Sequence, residues 1–142
     1  MLKKTITYTD YDGIERTEIF YFNLSRAELF EKEATTPGGY VDLLQSIIDA
    51  KDEARLLIEF KRLVAMAYGV KSEDGKHFRK SEQISDDFIN SPAYDQLFME
   101  FLTDSTKAAE FVNGIMPKDL QTSIDKLVPP QGDVAQFGSP QA

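Results

Sequence analysis

The chain has 142 residues, of which 42% are hydrophobic and 28% are charged, a composition that suits one globular domain with one hydrophobic core. Its formal net charge of -8 disfavours binding to the phosphates of nucleic acids and to anionic lipids, so we expect neither nucleic acid nor a membrane as a partner. The lack of cysteine excludes disulfides and thiolate metal sites, and no apolar run approaches the roughly 20 residues of a membrane span.

Residues 3–23 predict an antiparallel β-hairpin. Two runs rich in β-branched and aromatic residues flank Asp12 and Gly13, a strong turn signal because glycine adopts a positive φ without steric cost. The second run, Ile19–Phe22, is apolar on both of its faces. Because a lone hairpin is only marginally stable in water, we expect helices to pack on this strand, and a second copy of the protein is a further candidate cover.

Ser25 and Glu28 have the spacing of a capping box, which predicts a short helix that runs to about Ala34. The apolar pair Leu29 and Phe30 is expected to face the protein interior. A second helix is predicted at residues 40–50, after a segment rich in threonine, proline and glycine that breaks the first.

Asp52 is a candidate N-cap for a third and longer helix, which is expected to end near Tyr68 at Gly69. This helix has the cleanest 3.6-residue periodicity in the chain. Its apolar stripe consists of Leu56, Leu57, Phe60, Leu63, Val64 and Ala67. We therefore expect helix 52–68 to lie at the centre of the fold.

Residues 70–80 are polar and contain a second Asp-Gly turn, which predicts an exposed, hairpin-like excursion. A short helix is predicted at residues 81–90. Residues 91–117 then predict two short helices, the first capped by Ser91 and the second capped by Asp104 or Ser105. Gly114 suits the left-handed position just beyond a helix end.

The composition changes after Pro117, where prolines and glycines become frequent. Residues 118–128 predict a weak amphipathic helix, and the chain beyond them is expected to be mobile. The predicted organisation is thus one globular α+β domain at 1–117 and a flexible tail at 118–142. The fold class is an N-terminal antiparallel hairpin packed on a mostly helical bundle of about six helices.

Candidate catalytic and metal-binding patterns are weak. His77 is the single histidine and lies among cations on an expected turn, without an orienting carboxylate placed by sequence. The segment from Gly69 to His77 fails the phosphate-loop pattern, and the acidic stretch before Gly13 fails the twelve-residue calcium pattern. We predict no catalytic, cofactor or metal site, and hence a protein that is not an enzyme.

One basic patch stands out in this acidic chain. It consists of Lys71, Lys76, His77, Arg79 and Lys80. One interpretation is a solvated hairpin whose cations pair with acidic helix faces elsewhere in the chain. The other is an electrostatic docking site for an acidic partner.

Several segments together resemble a known family. They are KKTITYTDYDGIERTEIFYFNLSRAEL at the N-terminus, followed by DGKHF, SPAYDQLFMEFLTD and KAAEFVNGIMP. In this wording and order, over about residues 1–117, the chain resembles the tail assembly chaperones of long-tailed, non-contractile bacteriophages and related prophages.

The resemblance implies a protein without enzymatic activity, cofactor or small-molecule substrate. Its implied partners are the tape measure protein, which it keeps soluble, and the tail tube protein, whose subunits it helps to recruit. The resemblance also implies self-association, action in the host bacterial cytoplasm, absence from the mature virion, and a longer product made by ribosomal frameshifting.

A holdase for an apolar helical partner needs exposed apolar surface on a soluble body. The candidate partner-binding residues are Phe20, Phe22, Leu120, Ile124, Leu127 and Val128. For the two phenylalanines the competing interpretation is ordinary core packing, because aromatic strand residues are usually buried.

Two other functions are compatible with the sequence. A structural component of the tail would use the hairpin to add a strand to a neighbouring sheet. An acidic mimic of DNA, or another inhibitor, would need carboxylates spaced like phosphates along one face, whereas the acidic residues here are spread over several helices.

Overall fold

The computed structural model describes residues 1–117, apart from the side chain of Ile48. Ten helices and strands follow one another in this part of the chain. The strands are β1 (Leu2–Thr9), β2 (Glu15–Phe22), β3 (Tyr68–Lys71) and β4 (Phe78–Arg79). The helices are α1 (Arg26–Thr35), α2 (Tyr40–Ala50), α3 (Glu53–Ala67), α4 (Glu82–Ile89), α5 (Pro92–Thr103) and α6 (Ser105–Ile115). The predicted α+β class is confirmed, and the predictions for residues 118–142 lie outside the described residues.

The N-terminal hairpin forms as its sequence predicts. β1 and β2 pair antiparallel along their whole length, from Leu2 opposite Phe22 to Thr9 opposite Glu15. In the connecting turn, an Asp10 carboxylate oxygen accepts hydrogen bonds from two backbone N–H groups, and Gly13 has a φ of 83°. The turn residues therefore fix the register of the two strands.

The predicted helix starts are also confirmed. Ser25 and Glu28 form the capping box of α1, in which each side chain accepts a hydrogen bond from the other residue's backbone N–H. Asp52, Ser91 and Asp104 cap α3, α5 and α6 through their side-chain oxygens. These signals are local, and each satisfies backbone donors that a helix start leaves without a partner.

The hairpin-like excursion predicted at residues 70–80 is confirmed, and its two strands also belong to the sheet. β3 pairs antiparallel with β2, and β4 pairs antiparallel with β3, which gives a four-stranded sheet of order β1-β2-β3-β4. The pairing of β3 with β2 was not predicted, because β3 is only four residues long and follows α3 directly, so periodicity does not separate it from the helix. Its pairing with β2 covers the C-terminal end of the hairpin's second edge, where Tyr21 lies opposite Gly69 and Phe22 opposite Tyr68.

Two glycines have roles other than the predicted helix termination. Gly69 lies inside β3, where an added Cβ would lie 2.7 Å from the Phe78 ring and 2.9 Å from the Arg79 carbonyl oxygen. Gly114 lies within α6, where a Cβ would come 3.0 Å from Leu2 of β1. Both glycines therefore allow a close approach between elements.

The core lies between one face of the sheet and the helices. Phe22 is its centre, with ring centroids 5.1–5.7 Å from those of Tyr68, Phe88 and Phe111. The Tyr68 and Phe88 rings are stacked at 4.3 Å, which fixes α4 against β3. α5 packs across β1, and α1, α2 and α3 pack in sequence order.

One residue predicted to face inward does not. Phe30 is exposed on α1, while its neighbour Leu29 is buried in the core. A helix of this length that meets the core along one narrow stripe cannot bury both members of an adjacent pair, because consecutive residues point about 100° apart.

Candidate partner-binding groove

An open apolar groove of about 410 Å³ runs between α3, α5 and α6. We refer to it as the α3–α5–α6 groove. It is lined by Glu53, Leu56, Leu57, Phe60, Phe98, Phe101, Leu102, Ser105 and Ala108. Seven of these nine residues are apolar, so the groove offers hydrophobic surface rather than a set of reactive groups.

The floor of the groove is part of the core. The Phe60 and Phe101 rings meet edge to face, with centroids 5.3 Å apart and planes at 88°. Phe101 is buried and also contacts Phe111 of α6, at a centroid distance of 5.0 Å. These contacts join all three helices, so the floor is held rigidly.

The rim of the groove is exposed. Leu57 of α3 and Leu102 of α5 retain 39% and 53% of their accessible surface. Glu53 and Ser105 supply polar groups beside them. A groove with an apolar floor and exposed leucines at the rim suits the apolar face of a partner helix, which anchors through residues three and four apart.

The strand residues predicted to bind a partner lie elsewhere. Phe22 is 0% exposed at the centre of the core. Phe20 is partly buried and packs against Phe88 at 5.3 Å and Tyr8 at 6.3 Å. Both rings therefore follow the core-packing interpretation. Leu120, Ile124, Leu127 and Val128 lie outside the described residues.

One cation of the basic patch, Lys80, forms an ion pair within the chain. The Lys80 ammonium lies 2.8 Å from the Glu28 carboxylate and donates to the Asn23 carbonyl oxygen at 2.7 Å. Burial alone would raise the pKa of Glu28, but its hydrogen bonds from Lys80 and Ser25 outweigh this and lower it. For Lys80, pairing with an acidic helix face is the correct interpretation.

Reactive groups do not converge in the described part of the chain. His77 lies exposed in the β3–β4 turn, where its backbone N–H donates to Ser72 Oγ at 3.0 Å. Among residues 1–117, no three histidine, aspartate or glutamate side chains are placed to hold a metal ion. No helix in this part of the chain has the length and apolar character needed to cross a membrane.

Sequence reasoning missed the groove, although a signal was present. The helices that form it carry adjacent apolar pairs, such as Leu56 with Leu57 on α3 and Phe101 with Leu102 on α5. Such a pair widens the apolar face beyond the stripe that one contact covers. In each pair the second residue forms the exposed rim.

A family model described as phage tail assembly chaperone matches residues 1–139. The match extends past residue 117, where the motifs quoted above end. No curated protein and no solved structure matches the chain.

Proposed function

Because the chain belongs to the family of phage tail assembly chaperones, we propose that it binds an apolar helical segment of the tape measure protein in the α3–α5–α6 groove. The groove itself carries this proposal, since it combines a rigid aromatic floor with exposed leucines at its rim. A bound helix would remove this apolar surface, and its own, from water.

The charge of the chain supports the same role. The formal net charge is -8, and this charge favours keeping a complex with an apolar partner in solution. Like charge also opposes non-specific clustering of loaded chaperones. The proposed chaperone then helps to recruit tail tube subunits around the tape measure protein.

In this role the protein acts in the host cytoplasm, carries out no catalysis and leaves before the particle is complete. Mass spectrometry of purified particles tests the last point. We expect the protein to be missing, and its recovery at the stoichiometry of a tail subunit would identify a structural component instead.

Co-expression with the tape measure protein of the same virus tests binding in the groove. We expect the wild-type chain to increase the soluble fraction of that protein and to be purified with it. The double variant L57Q and L102Q should lose most of this effect, because glutamine replaces both rim leucines while keeping a good helix propensity.

A matched control separates the groove from general surface effects. Ile58 and Met99 lie on the same two helices and are 51% and 46% exposed, but neither lines the groove. The double variant I58Q and M99Q should solubilise the tape measure protein as well as the wild type does. Equal loss in both double variants, or no loss in either, would contradict binding in the groove.

A further inference from the structure

We propose that residues 118–128 of the same chain bind the α3–α5–α6 groove while the partner is absent. This inference rests on the proposed function only in naming the groove as the partner site. The segment would then be an internal competitor that the tape measure protein displaces.

The end of the described chain places this segment within reach of the groove. α6 lines the groove through Ser105 and Ala108. The helix ends at Ile115, and Met116 has an extended backbone with φ -78° and ψ 149°. From Ala108 to the end of α6 the helix rises roughly 10 Å, at 1.5 Å per residue. A segment that returns antiparallel to α6 spans this distance within about seven helical residues.

The sequence of the segment complements the groove. Leu120, Ile124 and Leu127 are spaced by four and then three residues, so they share one face if the segment is helical. This is the spacing of the anchors by which an amphipathic helix occupies an apolar groove. The residues between them are polar or charged, as the solvent-facing side of a docked helix requires.

Attachment to the same chain favours this occupant over a second copy of the protein. A short flexible tether gives an effective concentration on the order of millimolar. A second copy at micromolar concentration competes at a large disadvantage for the same apolar surface. A contact with an intrinsic Kd of about 1 mM therefore fills the groove for about half of the time.

The consequence is a threshold for partner binding. A groove that is only fractionally open has an apparent Kd raised by the reciprocal of the open fraction. A short or weakly apolar helix would be rejected, whereas a long apolar segment with many anchors would displace the internal one. The device would thus protect the groove from unspecific contacts before the tape measure protein is available.

A paramagnetic label on the full-length chain tests the inference without any partner. The chain has no cysteine, so T122C gives one attachment site, on the helix side opposite Leu120 and Ile124. We expect the nitroxide to remove most of the NMR signal intensity from the methyl groups of Leu56 and Leu102. The methyl groups of Ile19, on the outer face of the sheet, should keep theirs.

Two controls complete this experiment. In the labelled chain that also carries L120S and I124S, the groove methyl signals should recover. A mixture of nitroxide-labelled chain without isotopes and isotope-labelled chain without nitroxide should show no broadening. Groove signals as sharp as those of Ile19 in the first sample, or broadening in the mixture, would overturn the inference.

The two proposals can fail separately. The label experiment contains no tape measure protein, so its outcome does not depend on where that protein binds. If both hold, the variant L120S and I124S binds the tape measure protein with a several-fold lower apparent Kd than the wild type. An unchanged or higher apparent Kd would contradict internal competition, while the Leu57 and Leu102 variants independently report on the groove.

Discussion

The two halves of α3 have the same apolar periodicity but different environments. In the C-terminal half, Leu63, Val64 and Ala67 are buried in the core. In the N-terminal half, Leu57 forms the rim of the groove and Ile58 is exposed beside it. Periodicity therefore marks the face on which a helix is apolar, whereas the neighbouring elements decide whether that face is covered.

The difference has a structural cause. The C-terminal half of α3 leads directly into β3, which pairs with β2 through Tyr68 and Gly69. The sheet thereby holds this half against α4 and the centre of the core. The N-terminal half faces α5 and α6 across the groove. Phe60, in the middle of α3, contacts Phe101 of α5 and Phe111 of α6.

The largest expected loss of stability comes from a substitution in the buried, C-terminal half of α3. L63A should lower the free energy of unfolding by about 3 kcal/mol, because it removes buried methyl groups and leaves a cavity in a rigid core. L57A should cost about 1 kcal/mol or less, since this leucine is already exposed. Urea unfolding followed by circular dichroism measures both. Similar losses for the two variants would show that the halves of α3 are equally packed.

The second effect concerns Tyr40, the first residue of α2, which is buried and experiences the charges of Glu59 and Arg62 on α3. Burial, with a contribution from the Glu59 carboxylate, raises the pKa of Tyr40 to about 12 from an ordinary value of about 10. The folded state thus holds the phenolic proton more tightly than the unfolded state does. The stability this provides is complete below pH 10 and is lost as the pH rises towards 12, by about 2–3 kcal/mol in total.

The variant Y40F isolates this contribution. Between pH 9 and pH 11.5, its free energy of unfolding should fall less than that of the wild type, as urea unfolding at each pH would show. Burial also raises the pKa of Tyr68 and of Tyr94, so a smaller alkaline loss should remain in the variant. An unchanged alkaline loss in Y40F would mean that Tyr40 is accessible to solvent in the folded state.

A third and smaller effect is expected at the start of α3. The Asp52 carboxylate accepts a hydrogen bond from the Arg55 backbone N–H at 3.2 Å, and D52A should cost about 1 kcal/mol. Because the exposed half has little tertiary packing, the loss should appear there first. Hydrogen exchange should accelerate at the amides of residues 56–60 more than at those of residues 63–67. A uniform acceleration would show that α3 opens as one unit.

The smallest expected effect is the one that validates the binding test. Replacing both Leu57 and Leu102 by glutamine should change the free energy of unfolding by about 0.5 kcal/mol or less per site, since both are exposed. Thermal unfolding of this variant, beside the control at Ile58 and Met99, measures the difference. A large loss of stability would mean that the rim leucines belong to the core, and the solubility assay would then need milder substitutions.

The candidate site was less predictable than the fold. Phe22 belongs to a strand that is apolar on both faces, which made it a candidate binding residue. Its ring instead lies at the centre of the core, where Phe88 of α4 and Phe111 of α6 contact it. Leu57 and Leu102 lie on apolar helix stripes and were expected in the core, but no described element covers them. The sequence shows which residues are apolar, but it does not show which of them are buried against other parts of the fold.

By itself, the sequence determined the features that depend on neighbours along the chain. The Asp10–Gly13 turn, the capping box at Ser25 and the N-caps at Asp52 and Ser91 all form as predicted, because each satisfies backbone groups a few residues away. The wording of its segments also indicated the family that the match over residues 1–139 establishes.

Only the tertiary structure decided the features that depend on distant neighbours. β3 becomes a strand because β2 offers it a free edge, and Gly69 is needed there because Phe78 approaches from β4. The α3–α5–α6 groove exists because Phe101 of α5 and Phe111 of α6 contact Phe60 of α3, while Leu57 and Leu102 beside them stay exposed. Packing between segments far apart in sequence sets these distances, and local periodicity carries no information about them.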